Sequence, residues 1–300
     1  MQAIAATKLI PVLFAAGLAA ACSSATQAPA PEPTTTAVTT PAAPAPKINE
    51  RRMVALYGHP SGPALGVLGE MSPADAAAEA SRRAEQYQQF SAEPVIPAME
   101  IIATVASASP GPDGDFSNES APEELVPYID AITAIGGYAI IDLQPGRASL
   151  LDQAKRYEEL LARPNVGLAL DPEWKLQPGQ LPAQEVGHVE ASEINDVTGW
   201  LAEFTRARQL PQKAVVLHQF QEQMIRGRET LEFHDDIALV LHADGHGTLG
   251  DKLATWDMVR QGLDPRILLA WKNFHDEDTP MLTPEQTMGI QPQPRLITYQ

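Results

Sequence analysis

One cysteine occurs in 300 residues, at position 22. An intrachain disulfide and a zinc site built from several thiolates are therefore excluded. Because Cys22 precedes every segment able to fold, a cysteine nucleophile is excluded as well. Basic residues are scarce beside acidic ones: 21 Lys and Arg stand against 38 Asp and Glu, a formal charge of −17. That balance argues against nucleic acid, and against anionic headgroups, as partners of the folded surface. Neutral or cationic substrates and bound cations remain compatible with it. No Gly-x-Gly-x-x-Gly follows the first strand-like run, which weighs against a dinucleotide fold. The absence of a Gly-x-Ser-x-Gly elbow disfavours a serine hydrolase of that type.

The N-terminus is short of length in its apolar run. Lys8 is followed by an apolar stretch over residues 9–21 and then by Cys22. A membrane-spanning helix needs about 20 apolar residues, so this is the plan of a secretory signal peptide. A cysteine directly after Leu18-Ala19-Ala20-Ala21 resembles the lipobox of bacterial lipoproteins, with Leu18 fourth rather than third before the cysteine. The resemblance implies cleavage of residues 1–21 and acylation of the sulfur and amine of Cys22. It implies an extracytoplasmic protein that meets the cell membrane through its lipid anchor only. Residues 22–46 are almost entirely Ala, Pro, Thr and Ser. Lacking large apolar side chains, they cannot bury a core and read as a disordered spacer that holds the next domain off the membrane. The chain also resembles cell-surface lipoproteins of high-GC bacteria.

From residue 47 to 300 two kinds of segment alternate. Strand-like apolar runs cover residues 53–57, 95–105, 138–143, 166–170, 214–217, 237–241, 267–271 and 296–299. Helical patterns lie between them, at 74–90, 122–135, 150–161, 192–209, 222–231, 249–261 and 284–288. Ser72-Pro73 supplies an N-cap and a first-turn proline to the first of these. Continuous apolar runs are expected of parallel strands buried on both faces, and strict alternation with helices signals a parallel α/β fold. Eight units in about 250 residues favour a single-domain (β/α)8 TIM barrel.

In such barrels the reacting groups sit at the C-terminal ends of the strands. Polar residues gather there: His59 after the first run, Glu100 in the second, Asp142 in the third, Asp171 and Glu173 after the fourth, and His218 after the fifth. His242, Asp244 and His246 follow the sixth run, and Trp271 with Lys272 the seventh. Were the fourth strand to persist, Asp171 and Glu173 would point the same way, about 6.6 Å apart. Two carboxyls on one rim divide labour when one stays protonated and the other ionised. Two plainer roles compete: Glu173 paired to Lys175 or Arg147, and Asp171 capping the turn before Pro172. Asp142 and Asp244 add further carboxylates, and Trp174 and Trp271 offer flat faces to sugar rings.

This Asp-x-Glu after strand four resembles chitinase-like and lysozyme-like glycoside hydrolases. The resemblance implies Glu173 as general acid and Asp171 as the residue that orients it or steadies the transition state. The polar strand ends and the exported location point to a cell-envelope polysaccharide or glycoconjugate as substrate, with no cofactor expected. Lys272, His218, His242, His59 and Glu100 would complete the substrate site. The sequence departs from the chitinase signature at Leu168-Ala-Leu170, where further Asp and Gly residues are usual, and its Trp271 is on strand seven rather than eight.

Two other readings stay open. His59, His218, His242 and His246 with the mouth carboxylates suit a metal-dependent hydrolase, and a barrel that binds a glycan or partner without turnover needs no chemistry at all. Asp113-Gly-Asp115-Phe-Ser117-Asn118-Glu119 spaces oxygen ligands as calcium loops do but lacks their sixth-position glycine. The acidic run at 275–278 reads as a solvated loop.

Overall fold

A computed structural model describes residues 46–300 of the chain. The leader, Cys22 and all but the last residue of the spacer fall outside the described residues. Among the described residues, eight parallel strands form a closed (β/α)8 barrel. They are β1 (Arg52–Gly58), β2 (Val95–Ala106), β3 (Tyr138–Leu143), β4 (Val166–Leu170), β5 (Lys213–Gln219), β6 (Ile237–Ala243), β7 (Leu268–Asn273) and β8 (Leu296–Tyr299). Neighbours in sequence pair in order, and β1 closes the ring by pairing with both β2 and β8.

Strand periodicity splits the side chains between two cores. Met53 and Ala55 of β1, Ala98, Tyr138 and Ile140, Ala169, Ala214 and Val216, Val240, Ala270 and Leu296 pack together inside the barrel. The intervening residues, such as Val54, Leu56, Leu168, Val215 and Leu241, pack outward under the helices. Small side chains dominate the interior because eight strands leave little room there. Ile48, on a short 3-10 turn (Ile48–Glu50), joins the interior cluster and is 1% exposed. Its N–H donates to Oε1 of Gln212, which precedes β5, so Ile48 sits beneath the N-terminal ends of the strands.

The helices are α1 (Pro73–Gln88), α2 (Pro122–Ala134), α3 (Leu150–Arg156), α4 (Glu158–Leu161), α5 (Ala191–Ala207), α6 (Leu249–Arg260) and α7 (Pro284–Gly289). In α1 the Ser72 hydroxyl accepts from the Asp75 N–H, and Ala76, Ala80, Ala84 and Tyr87 form the buried stripe. The helical segment at 150–161 breaks at Tyr157, whose hydroxyl donates to the carbonyls of Ala103 and Ser120, 2.9 Å from each.

The helix expected at 222–231 does not form. Two 3-10 turns (Glu222–Met224 and Arg228–Thr230) flank Ile225–Arg226, which pairs in parallel with Val189–Glu190. Gly227 between them adopts φ 67°, a left-handed conformation that ends any helical run. The apolar periodicity there reflects side chains that tuck under this small sheet.

Because Ile48 fills the base of the interior, Ile48→Ala is expected to destabilise the domain by about 2–5 kcal/mol. Urea denaturation followed by tryptophan fluorescence should show a lower midpoint at an unchanged slope.

Candidate active site

Above the small-residue layer, the inward position of every barrel strand is polar. Tyr57 (β1), Glu100 (β2), Asp142 (β3), His218 (β5), His242 (β6), Lys272 (β7) and Thr298 (β8) continue the inward series, and Asp171 and Asp244 follow directly on β4 and β6. All are buried. Strand alternation turns each of them inward and Trp271, one residue before Lys272, outward.

A chain of charged hydrogen bonds crosses this layer. The His218 ring donates from Nε2 to Glu100 Oε1 at 2.6 Å and from Nδ1 to Asp244 Oδ2 at 2.7 Å. Lys272 Nζ lies 3.0 Å from the other Asp244 oxygen and 3.7 Å from the centre of the Tyr57 ring. Burial disfavours charge on His218, but Glu100 and Asp244 overcome it and hold the imidazole pKa well above its usual value. The same contest on Lys272 also ends in favour of the cation, through Asp244, Glu100 and Asp171. Asp244 is buried too, yet Lys272 and His218 keep it below the ordinary carboxylate range. His242 is driven the other way, by burial and then by the charge of His218, its ring 4.6 Å away. It stays neutral and shares a 3.0 Å hydrogen bond with the Thr298 hydroxyl.

Asp171 and Glu173 stand outside this chain. The strand does not persist to carry them: Asp171 follows β4 and Pro172–Trp174 is a 3-10 turn. The turn is held by Gly187, whose N–H donates to the Glu173 carbonyl at 2.6 Å. A β-carbon at Gly187 would fall 2.3 Å from the Lys175 carbonyl oxygen, so only glycine permits this approach. Neither plainer role for the pair is realised. Lys175 reaches Glu193 and the Ala148 carbonyl, and Arg147 donates to the Gln180 carbonyl. Asp171 stands at the head of the turn without a side-chain cap bond, and its buried Oδ1 has no partner. Among the described residues, no side-chain hydrogen bond or ion pair satisfies either carboxyl.

Burial, followed by the charge of Asp244, pushes Glu173 up to about 7. Asp171 is raised well above its usual value by burial, with Glu173 and Asp142 adding to it. Asp142, which accepts from the Tyr57 hydroxyl at 3.0 Å, is raised to about 6, mainly by burial. Uncharged and ionised carboxyls thus lie side by side.

A cavity of about 410 Å³ opens over this layer, lined by Tyr57, Asp171, Glu173, Trp174, Asp244 and Lys272, and walled by Phe220 and Phe274. Of the residues expected in the site, Asp171, Glu173, Trp174, Asp244 and Lys272 meet here. Asp142, Glu100, His218 and His242 lie beneath the cavity as its support, fully buried, and do not line it. Trp271 is no sugar platform. It is 1% exposed and packs edge-on against Trp256 of α6, with ring centroids 5.7 Å apart. His59 is also apart from the cavity, its ring nitrogens bonded to Ser61 and Ser120. Tyr57, Phe220 and Phe274 were not expected. Tyr57 was legible as the third inward position of β1 after Met53 and Ala55; the two phenylalanines lie on loops with no periodic signal.

Two clusters have metal-ligand composition. Glu100, His218 and His242 place ligand atoms within 4.8 Å of one another, as do Asp113, Asp115 and Glu119 on the loop after β2. An ion at the first would need His218 to give up the proton that Glu100 and Asp244 hold on it, because only deprotonated ligands bind metals.

No protein-family model matches the chain, and no curated protein matches it by sequence. Among solved structures it is similar to an oxaloacetate acetylhydrolase, at 13% identity over 83% of this chain and 75% of that one, with a TM-score of 0.44. It is also similar to a GH5-4 broad-specificity endoglucanase from an uncultured bacterium, at 9% identity over 73% of this chain and 76% of that one, with a TM-score of 0.32. Neither likeness bears on the chemistry of this chain; barrel closure follows from the strand register itself.

The raised carboxyls make stability depend on pH. From about pH 4.5 to 7 an unfolded chain releases protons that folded Glu173 and Asp142 retain, so their contribution falls as pH rises through that window. The raised His218 acts in the same direction as pH climbs through its own value. Depressed Asp244 acts oppositely: its stabilisation is complete above the ordinary carboxylate value and is lost as pH falls below it. Thermal unfolding should therefore give a higher Tm near about pH 5 than near about pH 8. Glu173→Gln should raise Tm at the higher pH and change it little at the lower.

Proposed function

We propose that this protein is a glycoside hydrolase of the cell envelope, with Glu173 as the general acid. One observation carries the reading: at the cavity, buried Asp171 and half-buried Glu173 have no side-chain partner in the protein, and both have raised pKa values, Glu173 about 7, beside an Asp244 held below the ordinary carboxylate range. Carboxyls whose environments push their pKa values apart are what acid-assisted cleavage of a glycosidic bond requires.

In this scheme the Glu173 proton passes to the departing glycosidic oxygen as its bond to the anomeric carbon breaks, and a water then adds to that carbon and returns a proton to Glu173. Asp244, fixed by Lys272 and His218, presents negative charge to the positive charge that develops on the sugar. The charge of Glu173 adds to burial in raising Asp171, which keeps that neighbour uncharged. Trp174, Phe220 and Phe274 provide faces for sugar rings.

Envelope location follows from the lipobox resemblance of Cys22. The chain joins the barrel at Ile48, on the face opposite the cavity.

A metal-dependent hydrolase is the second reading, resting on the Glu100, His218 and His242 cluster. Elemental analysis and chelator sensitivity separate the two readings.

Glu173→Gln should lower kcat on envelope polysaccharide by about 10²–10⁴-fold, and wild-type activity should decline as pH rises past about 7. Equal activity in the two forms removes Glu173 from the mechanism. Cys22→Ser is expected to move the protein from the detergent phase to the aqueous phase on partitioning, with loss of fatty-acid label.

A further inference from the structure

The cavity at Glu173 does not stand alone. A second, of about 270 Å³, adjoins it, and the two share Glu173 and Trp174 as lining. A third, of about 320 Å³, adjoins it elsewhere and shares Glu277 and Gln300. Different residues are shared in each case, so the two neighbours adjoin the first cavity at separate parts of its rim. Each of the three is near the lower bound of a small-molecule site, roughly 300–1,000 Å³. Trp174, half-buried, bounds two of them where a sugar ring on either side of Glu173 would meet it.

The lining is mostly acidic. Glu185 borders the second cavity, and Glu70 and Asp276 border the third. Across the three cavities seven acidic side chains stand against two basic ones, Lys272 and Arg83. Lys272 is paired with Asp244 at 3.0 Å, and Arg83 shares Glu79 with Arg82. A chain bearing carboxylates or phosphates would meet an excess of negative charge at either end.

We infer that the three cavities form one trough that binds an extended glycan across Glu173, with sugars on both sides of the cleaved bond, and that it selects chains free of acidic groups. Cleavage then falls at internal bonds. This inference rests on the proposed glycosidase activity for its reaction but not for its binding.

The test is calorimetric titration of the full-length Glu173→Gln variant with glucosamine oligomers and galacturonate oligomers, dimer to hexamer, beside product analysis with the wild-type protein. Affinity for glucosamine oligomers should tighten by about tenfold or more from dimer to hexamer, with galacturonates binding far more weakly at every length. The wild type should release fragments of mixed length from the first time points. Length-independent affinity, equal binding of galacturonates, or no binding by either series overturns the trough. Release of single terminal units at a kcat/KM independent of length also overturns it, while leaving the hydrolase reading intact. Length-dependent binding without wild-type turnover supports the trough and overturns the hydrolase reading instead.

Discussion

The barrel mouth is organised around one buried proton. His218 carries it between Glu100 on β2 and Asp244 after β6, and Lys272 on β7 supplies the second positive charge. Removing four ionisable groups from water costs several kcal/mol per ion, which only close pairing with good hydrogen bonds offsets. The two His218 hydrogen bonds, 2.6 and 2.7 Å, meet that demand, and Lys272 adds an ion pair 3.0 Å from Asp244 Oδ1. Taking away one member would leave a buried charge unpaired, a far larger loss than the pair's net contribution. The Glu100–His218 link joins β2 to β5, two strands that share no backbone hydrogen bonds, while the rest of the hydrogen-bonded chain runs across the paired strands β5, β6 and β7.

From that arrangement the electrostatics of the cavity follow. Lys272 and His218 bond to Asp244 and Glu100, so Asp244 stays ionised, and they act on Asp171 and Glu173 only from a distance. Those two have no side-chain partner in the protein, and desolvation, their largest influence, raises the pKa of each. A protein built for stability alone would have paired them, with Lys175, two residues beyond Glu173, or with Arg147, which follows the neighbouring strand β3. Both are instead committed elsewhere, Lys175 to Glu193 and the Ala148 carbonyl, Arg147 to the Gln180 carbonyl. Unpartnered buried carboxyls beside a cavity are the kind of local cost that functional sites retain.

Much of the architecture was legible because its determinants are local. All eight barrel strands were marked by continuous apolar runs, and α1 by Ser72-Pro73 and its alanine stripe. The segment at 222–231 was misread for an equally local reason. Its apolar spacing suits a helix, but Gly227 and the pairing of Ile225–Arg226 with Val189–Glu190 overrode it. Pairing across 36 residues leaves no trace in a short window. In the site, residue type and strand-end position picked out Asp171, Glu173, Trp174, Asp244 and Lys272. They could not separate Lys272, which faces the cavity, from its neighbour Trp271, which faces α6, since one residue of strand register decides between them.

The sequence by itself determined which segments become strands, that they lie parallel, and that their C-terminal ends carry acids, histidines and a lysine. These properties reside in the order of apolar and polar residues along the chain. Only the tertiary structure decided which of those groups pair. Barrel closure brings Glu100 and His218, 118 positions apart, to within 2.6 Å, and desolvates Glu173 near them, raising it to about 7. Charge state in a buried site is set by distance and desolvation, and neither exists until the ring has closed.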